Sequence, residues 1–205
     1  MSPVIKLHKN DLPPGLAFGS SVAIDTETMG LRPHRDRLCV AQLSGGDGHA
    51  HLVQLDGRDW SAPNLKALLA DPAVLKLFHF ARFDVAVLAQ HLGVVAAPVY
   101  CTKIASKLAR TYTDRHGLKD LCSELLGVEI SKQQQSSDWG AEKLTDQQRH
   151  YAASDVLYLH ALKAKLDAML AREDRQAYAQ ASFQFIATRA RLDLAGFEDV
   201  DIFAH

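Results

Sequence analysis

Four carboxylates and one phenol in this 205-residue chain have the types and spacing of groups that act on one substrate. Asp25 and Glu27 stand two apart at the end of the apolar run Ser21-Val22-Ala23-Ile24. A strand there projects both from one face, with Ile24 and Thr26 on the other. Asp84 falls early in a helical pattern, and Asp155 follows Tyr151 by four residues, which sets those two on one helical face. Singly, each Asp reads as a cap, a turn residue or a solvated helix position. Together they read differently. Asp84 is bracketed by Phe83 and Val85, and Asp155 precedes Val156-Leu157-Tyr158-Leu159, so both adjoin core-forming residues. Carboxylates converging beside a core repel one another and are costly to desolvate unless cations join them. Divalent ions resolve the conflict. An all-oxygen set favours Mg²⁺ or Mn²⁺ over Zn²⁺, whose usual Cys and His spacings are absent.

The elements that must position these groups follow from apolar periodicity. The run into Asp25 reads as a buried strand that ends at a cleft near Gly30. Leu38 to Leu43 and His49 to Leu55 read as strands of a hairpin, joined by Ser44-Gly45-Gly46-Asp47-Gly48. Ala62-Pro63 opens a helix carrying Leu65, Leu68 and Leu69 on one face. Val74 to Phe78 is another strand-like run, passing into a helix over Ala81 to Leu92. Val99 to Leu108 and Leu118 to Leu126 are strand or helix pieces around a cationic loop, Arg110 to His116. Lys132 to Ser137 is a polar loop. One helical pattern runs from Thr145 to about Leu170, and a second from Glu173 to about Leu192. Strands lead and helices follow, which predicts an α/β fold, a mixed sheet flanked by helices, as one domain over residues 1–205.

Three segments together resemble the DEDD superfamily of 3′→5′ exonucleases, whose fold is ribonuclease H-like. Asp25-Thr26-Glu27 is similar to its D-x-E motif, His79-Phe80-Ala81-Arg82-Phe83-Asp84 to its second, and Tyr151-Ala152-Ala153-Ser154-Asp155 to its Y-x-x-x-D motif. Gln135-Ser136-Ser137-Asp138-Trp139 extends the likeness towards the ribonuclease D branch, over roughly residues 20 to 165. Glu142-Lys143-Leu144 departs from that branch's Arg-Pro-Leu, a loop difference. Ribonuclease D continues into helical RNA-binding domains, whereas this chain stops at His205 and so looks most like the stand-alone nano-RNase C type.

The superfamily divides into a Tyr branch and a His branch, H-x-x-x-x-D, and His150 satisfies the second pattern as Tyr151 does the first. Thr145-Asp146-Gln147-Gln148 reads as a capping box, so the helix is under way before residue 150. A residue four before Asp155 lies about 40° from it around the helix, and one five before about 140° away. Tyr151 shares the face.

The resemblance implies two divalent ions held by Asp25, Glu27, Asp84 and Asp155. These acidify the attacking water and stabilise the leaving 3′-oxygen, and Tyr151 orients that water. The expected substrate contacts are Thr28, Met29, Gly30, Leu31, His79 and Phe83. Gly30 allows close backbone approach, Leu31 wedges between bases, and His79 meets a phosphate or sugar. Two basic groups, Lys103, Lys107, Arg110, Arg115 and Lys119, and Arg32, His34, Arg35 and Arg37, could hold phosphates or be solvated faces. Trp139 is expected to pack and fix its loop.

The net charge of −1 excludes a global positive field that draws the chain onto long nucleic acid, so contact is local or the substrate small. Short single-stranded RNA, down to dinucleotides, is the expected substrate. The alternatives are a ribonuclease D-like enzyme trimming longer RNA or single-stranded DNA, and a non-catalytic binding or assembly module. Cys39, Cys101 and Cys122 form no CxxC pair and read as free thiols in a reducing cytoplasm. Met1 to Leu16 lacks a signal peptide's apolar stretch, and no run is long enough to span a membrane, so a cytoplasmic location is expected. Phe183 to Ile186, and a tail bearing Phe197, Val200, Ile202 and Phe203, suit an extended arm on a neighbouring subunit. The resemblance likewise implies a homo-oligomer, up to a ring-like octamer.

Overall fold

The computed structural model describes residues 3–131 and 133–205. Met1 and Ser2, and Lys132 at the start of the expected polar loop, lie outside the described residues. The strand that carries Asp25 and Glu27, β2 (Ser21–Thr28), is inside a six-stranded sheet. On one side it pairs antiparallel with β3 (Leu38–Ser44), which forms the expected hairpin with β4 (His49–Gln54). On the other it pairs parallel with β5 (Leu75–Phe78), itself parallel to β6 (Val99–Cys101). Every residue of β3 is buried, as befits a strand covered on both faces. The order is completed by β1 (Val4–Lys9), parallel to β4 at the edge. Sequence reasoning missed β1 because its apolar residues alternate with Lys and His and its partner lies over forty residues away.

Seven helices, α1 (Pro63–Ala70), α2 (Ala81–Leu92), α3 (Thr102–Ala109), α4 (Leu118–Leu121), α5 (Asp146–Leu157), α6 (Leu159–Arg172) and α7 (Gln176–Leu192), are assigned among the described residues. Wider π-type turns extend α4 over Cys122–Leu126 and α7 over Asp193–Phe197. The mixed sheet with flanking helices is the architecture expected. One long helix from Thr145 to Leu170 is not: it breaks at Tyr158, at φ −103° and ψ −5°. The cause is a change of partner. Helix α5 packs on β2, β3 and β4, whereas α6 packs on α3 and α7, and one straight rod cannot follow both surfaces. Asp155 is therefore in the last turn of α5 and not at mid-helix.

The expectations for the segment after α6 also need correction. Phe183 and Ile186 are buried, with the Phe183 ring 4.5 Å from that of Tyr100, so they serve the chain's own core. The tail is no extended arm. Arg189 donates to the carbonyl of Val200 at 3.0 Å, and the Phe203 ring returns to within 5.7 Å of Phe185. Phe197, Val200, Ile202 and Phe203 nevertheless keep exposed surface. The three cysteines are free and buried. No helix of the described residues is long and apolar enough to cross a membrane.

Candidate active site

The carboxylates meet where β2 ends. The register of β2 against β3 shifts between Glu27 and Thr28, an irregularity that ends regular pairing and re-aims the chain beside the site. Asp25 and Glu27 project towards α5, whose Asp155 joins them: ligand oxygens from these three lie within 4.8 Å of one another. Asp84, in the first turn of α2, is not one of that group. It accepts a hydrogen bond from Thr26 Oγ1 at 2.7 Å, so the end of β2 is gripped on both faces. Thr26 was expected to point away from the site; it does leave the face of Asp25 and Glu27, and by doing so anchors the fourth carboxylate.

The electrostatics are those of a site built for cations. Burial first, then the charges of Asp84, Asp155 and Glu27, hold Asp25 well above the ordinary carboxylate range. Burial, followed by Asp155 and Asp84, pushes Glu27 up to about 9. Asp84 and Asp155 are each raised to about 7, chiefly by burial, against the opposing hydrogen bonds from Thr26 and Tyr151. The charges that act on Asp25 and Glu27 are other carboxylates. A set of oxygen donors strained in this way by mutual repulsion fits Mg²⁺ or Mn²⁺.

Gln42 belongs to this site, and sequence reasoning missed it. It sits opposite Asp25 in the β2–β3 register, fully buried. Its Nε2 donates to Asp25 Oδ2 at 3.3 Å and to Glu27 Oε1 at 3.4 Å, while its Oε1 has no hydrogen-bond partner among the described residues. The available signal was a long polar amide inside the otherwise apolar run Leu38 to Leu43, since such groups are rarely buried without a task.

Helix α5 presents its groups as the cap argument requires. Gln148 N donates to Thr145 Oγ1 at 3.2 Å and Thr145 N to Gln148 Oε1 at 2.9 Å, so the capping box is formed. Tyr151 donates a hydrogen bond to Asp155. Burial, then the charges of Asp155, Glu27 and Asp25, raises its phenol far above the ordinary value. His150 is exposed and bonds to Asp146 O at 2.7 Å, away from the cluster. The buried Trp139 lies 5.9 Å from the Tyr151 ring, and Gln148 Nε2 donates to Asp138 O at 3.0 Å, which ties the Trp139 loop to α5.

The remaining expected residues fall into two sets. Met29 and Leu31 are exposed, Leu31 to 85%, on the loop just beyond Glu27, and Leu31 shares a cavity with Phe83 of α2. Thr28 Oγ1 donates to Gly30 O, and His79 Nδ1 bonds with Thr102 Oγ1 at 2.9 Å. A Cβ at Gly30 would collide with the Asp36 carboxylate, so that glycine first of all admits a neighbour within its own loop. Of the basic groups, Arg110 is fully buried and bonded to Glu124 and to Arg115 O, and Arg115 pairs with Asp120 at 2.9 Å. Arg35 pairs with Asp36 at 2.7 Å, and Arg37 donates to Gly140 O at 3.1 Å. These four hold loops together. Arg32 and His34 line the cavity with Leu31, and Lys103 lies 4.4 Å over the Phe80 ring.

A family described as 3′-5′ exonuclease matches residues 8–171. A ribonuclease D of Acidiphilium cryptum (strain JF-5) is 40% identical over 161 residues, covering 78% of this chain and 40% of that protein. The chain thus spans well under half the length of that relative. The structure of Brucella melitensis NrnC bound to pGG superposes with a TM-score of 0.97 at 58% identity, covering 100% of both chains. Brucella melitensis NrnC with bound Mg²⁺ superposes at 0.95, again with 58% identity, over 98% of this chain and 99% of that one.

Proposed function

The chain belongs to the 3′-5′ exonuclease family, and from that premise we propose that it is a metal-dependent 3′→5′ exoribonuclease acting on short RNA, down to dinucleotides, through one catalytic domain. One observation carries the reading: Asp25, Glu27 and Asp155 bring their oxygens within 4.8 Å of one another, with Asp84 acting on Asp25 from beyond that group. Asp25, Glu27 and Asp155 would hold one divalent ion, and Asp25 with Asp84 a second. Bound there, such ions acidify a water and stabilise charge on a leaving 3′-oxygen.

The chain's own residues do the rest. Tyr151, with its phenol raised, stays protonated across the working range and orients the attacking water by hydrogen bonding; it is no general base. Gln42 holds Asp25 and Glu27 in a fixed relation by donating to both. Leu31 and Phe83 offer apolar surface to a base, beside Thr28, Met29, Gly30 and His79. The pGG bound by the Brucella relative and its coverage of both whole chains support short RNA as the substrate. The likeness to Escherichia coli RNase D, an exoribonuclease involved in structured RNA processing, supports longer RNA as the second reading. A time course with end-labelled RNAs of two to twenty nucleotides, in Mg²⁺ and in Mn²⁺, separates them. Mononucleotides should accumulate fastest from the shortest RNAs. Equal rates on long RNA would favour the second reading, and no release in either metal would end both.

The exposed Phe197, Val200, Ile202 and Phe203 support a homo-oligomer as part of this proposal. Light scattering at micromolar concentration should give a mass several times 22.5 kDa, and a monomeric mass refutes it.

A further inference from the structure

Arg82 stands two residues before Asp84 on α2 and faces away from the carboxylates. It donates to both oxygens of Asp193, at 2.6 and 2.8 Å, and to Glu198 O at 2.5 Å. Arg189 of α7 grips the same Asp193 at 2.9 Å and donates to the carbonyls of Phe197 and Val200. Asp193 is buried between the two guanidinium groups. A buried carboxylate with paired, charge-assisted partners on two helices is a strong clamp, and here it fixes the segment after α7 to the helix that bears Asp84.

The clamped segment closes one side of a cavity of about 390 Å³. Leu31, Phe80 and Phe83 give its lining apolar surface, and Glu198 and Asp199 of the clamped segment give it two carboxylates. Arg32 adds a positive charge to the lining next to Leu31, with His34 nearby. Arg82 lines the cavity as well and feels the charges of Asp199 and Glu198, but its hydrogen bonds go to Asp193 and to the Glu198 carbonyl. Arg82 and Arg189 are committed to Asp193 and to carbonyls, so Glu198 and Asp199 have no cation assigned to them by an ion pair among the described residues. The volume is at the small end of ligand pockets.

We infer that the segment after α7, clamped by Arg82 and Arg189, is the wall that limits substrate length, with Glu198 and Asp199 repelling the phosphates of a strand that continues beyond the cavity. This rests on the exoribonuclease reading above. A short RNA places its base against Leu31, Phe80 and Phe83 and ends before the acidic wall. A longer strand must carry a phosphate past two carboxylates, a repulsion that salt screens.

The test compares kcat/KM on a seven-nucleotide RNA with that on a dinucleotide, for the wild type and for E198Q/D199N, at low and at high salt. At low salt the substitutions should raise the long-to-short ratio by about tenfold, the order expected of two screened charges near one phosphate. High salt should raise the wild-type ratio towards that of the variant and leave the variant's ratio nearly unchanged. R189A, which loosens the wall but keeps its acids, should also raise the ratio. An unchanged ratio in E198Q/D199N overturns the acidic wall, and an unchanged ratio in R189A overturns the clamp. A wild type that cleaves both RNAs equally removes the short-substrate reading and this inference together. A selective wild type with unaltered variants removes only this inference.

Discussion

Asp84 acts on Asp25 from outside the group of three, under the hold of Thr26, so its replacement leaves Asp25, Glu27 and Asp155 grouped. D84N keeps an oxygen for Thr26 but removes the charge. Turnover should fall by about two orders of magnitude or more, because losing a metal ligand removes charge and geometry together. Circular dichroism should show the fold retained, and wild-type turnover in D84N would sink the two-ion arrangement. A second pair of substitutions sets the branch. Tyr151 bonds to Asp155 whereas His150 bonds to Asp146 O on the exposed side. Y151F should therefore cut kcat by about ten- to a thousandfold, the range of a lost positioning group, while H150A stays within a few-fold of wild type. If H150A is the crippled variant, the water is oriented from the other side of the helix.

Helix α5 brings Tyr151 and Asp155 to the site, and its amino terminus is set by one reciprocal pair of hydrogen bonds between Thr145 and Gln148. T145A should cost about 1 kcal/mol of stability, as loss of such a cap does, and lower the denaturant midpoint without changing the slope. A midpoint equal to that of the wild type would mean that packing of α5 on the sheet alone sets where the helix starts. The cap was legible in the sequence because it is local: a four-residue pattern, T-x-x-Q, ahead of a helical period. Asp25, Glu27 and Asp84 were legible for a similar reason, each at the end or start of an element whose period is plain, and Asp155 through its four-residue spacing from Tyr151, although the helix end beside it was not seen. What stayed hidden depends on partners far away in the chain. Strand β1 exists because β4 offers it an edge, and Tyr158 breaks the helix because α6 turns from the surface of β2, β3 and β4 towards α3 and α7. Gln42 takes its meaning from standing opposite Asp25, which only the register of β2 on β3 supplies. Gly30 looked like a backbone opening for substrate, but Asp36, six residues on, occupies that space.

For the molecule as a whole, the carboxylate cluster is a cost to the ion-free fold, and its sign with pH can be worked out. Asp84 and Asp155 are raised to about 7 and Glu27 to about 9, above the ordinary range near 4 that an unfolded chain shows. Groups raised in this way favour the folded state at low pH and lose that contribution as pH climbs through the raised values. Other groups act in the opposite sense outside a middle window. Burial lowers His51, His91 and His160 below 6.5, so their charging opposes folding only under more acidic conditions. Buried Lys76, lowered to about 8 mainly by burial, adds stability as pH rises beyond that value. Between pH 6.5 and 8 the carboxylates therefore dominate, and the melting temperature in EDTA should fall across this range. Divalent ions reverse the cost, because they bind the ionised carboxylates and compete with protons for them. The gain in melting temperature from saturating Mg²⁺ or Mn²⁺ over EDTA should consequently widen from pH 6.5 to 8. At a hundredfold excess over the dissociation constant the stabilisation should reach about 2.7 kcal/mol per ion, enough to read by scanning calorimetry. The same scans on D84N separate cause from coincidence, since one carboxylate fewer should flatten the fall in EDTA and shrink the gain from metal. If the gain is equal at the two pH values and unaltered in D84N, the ions stabilise the fold from somewhere other than this cluster.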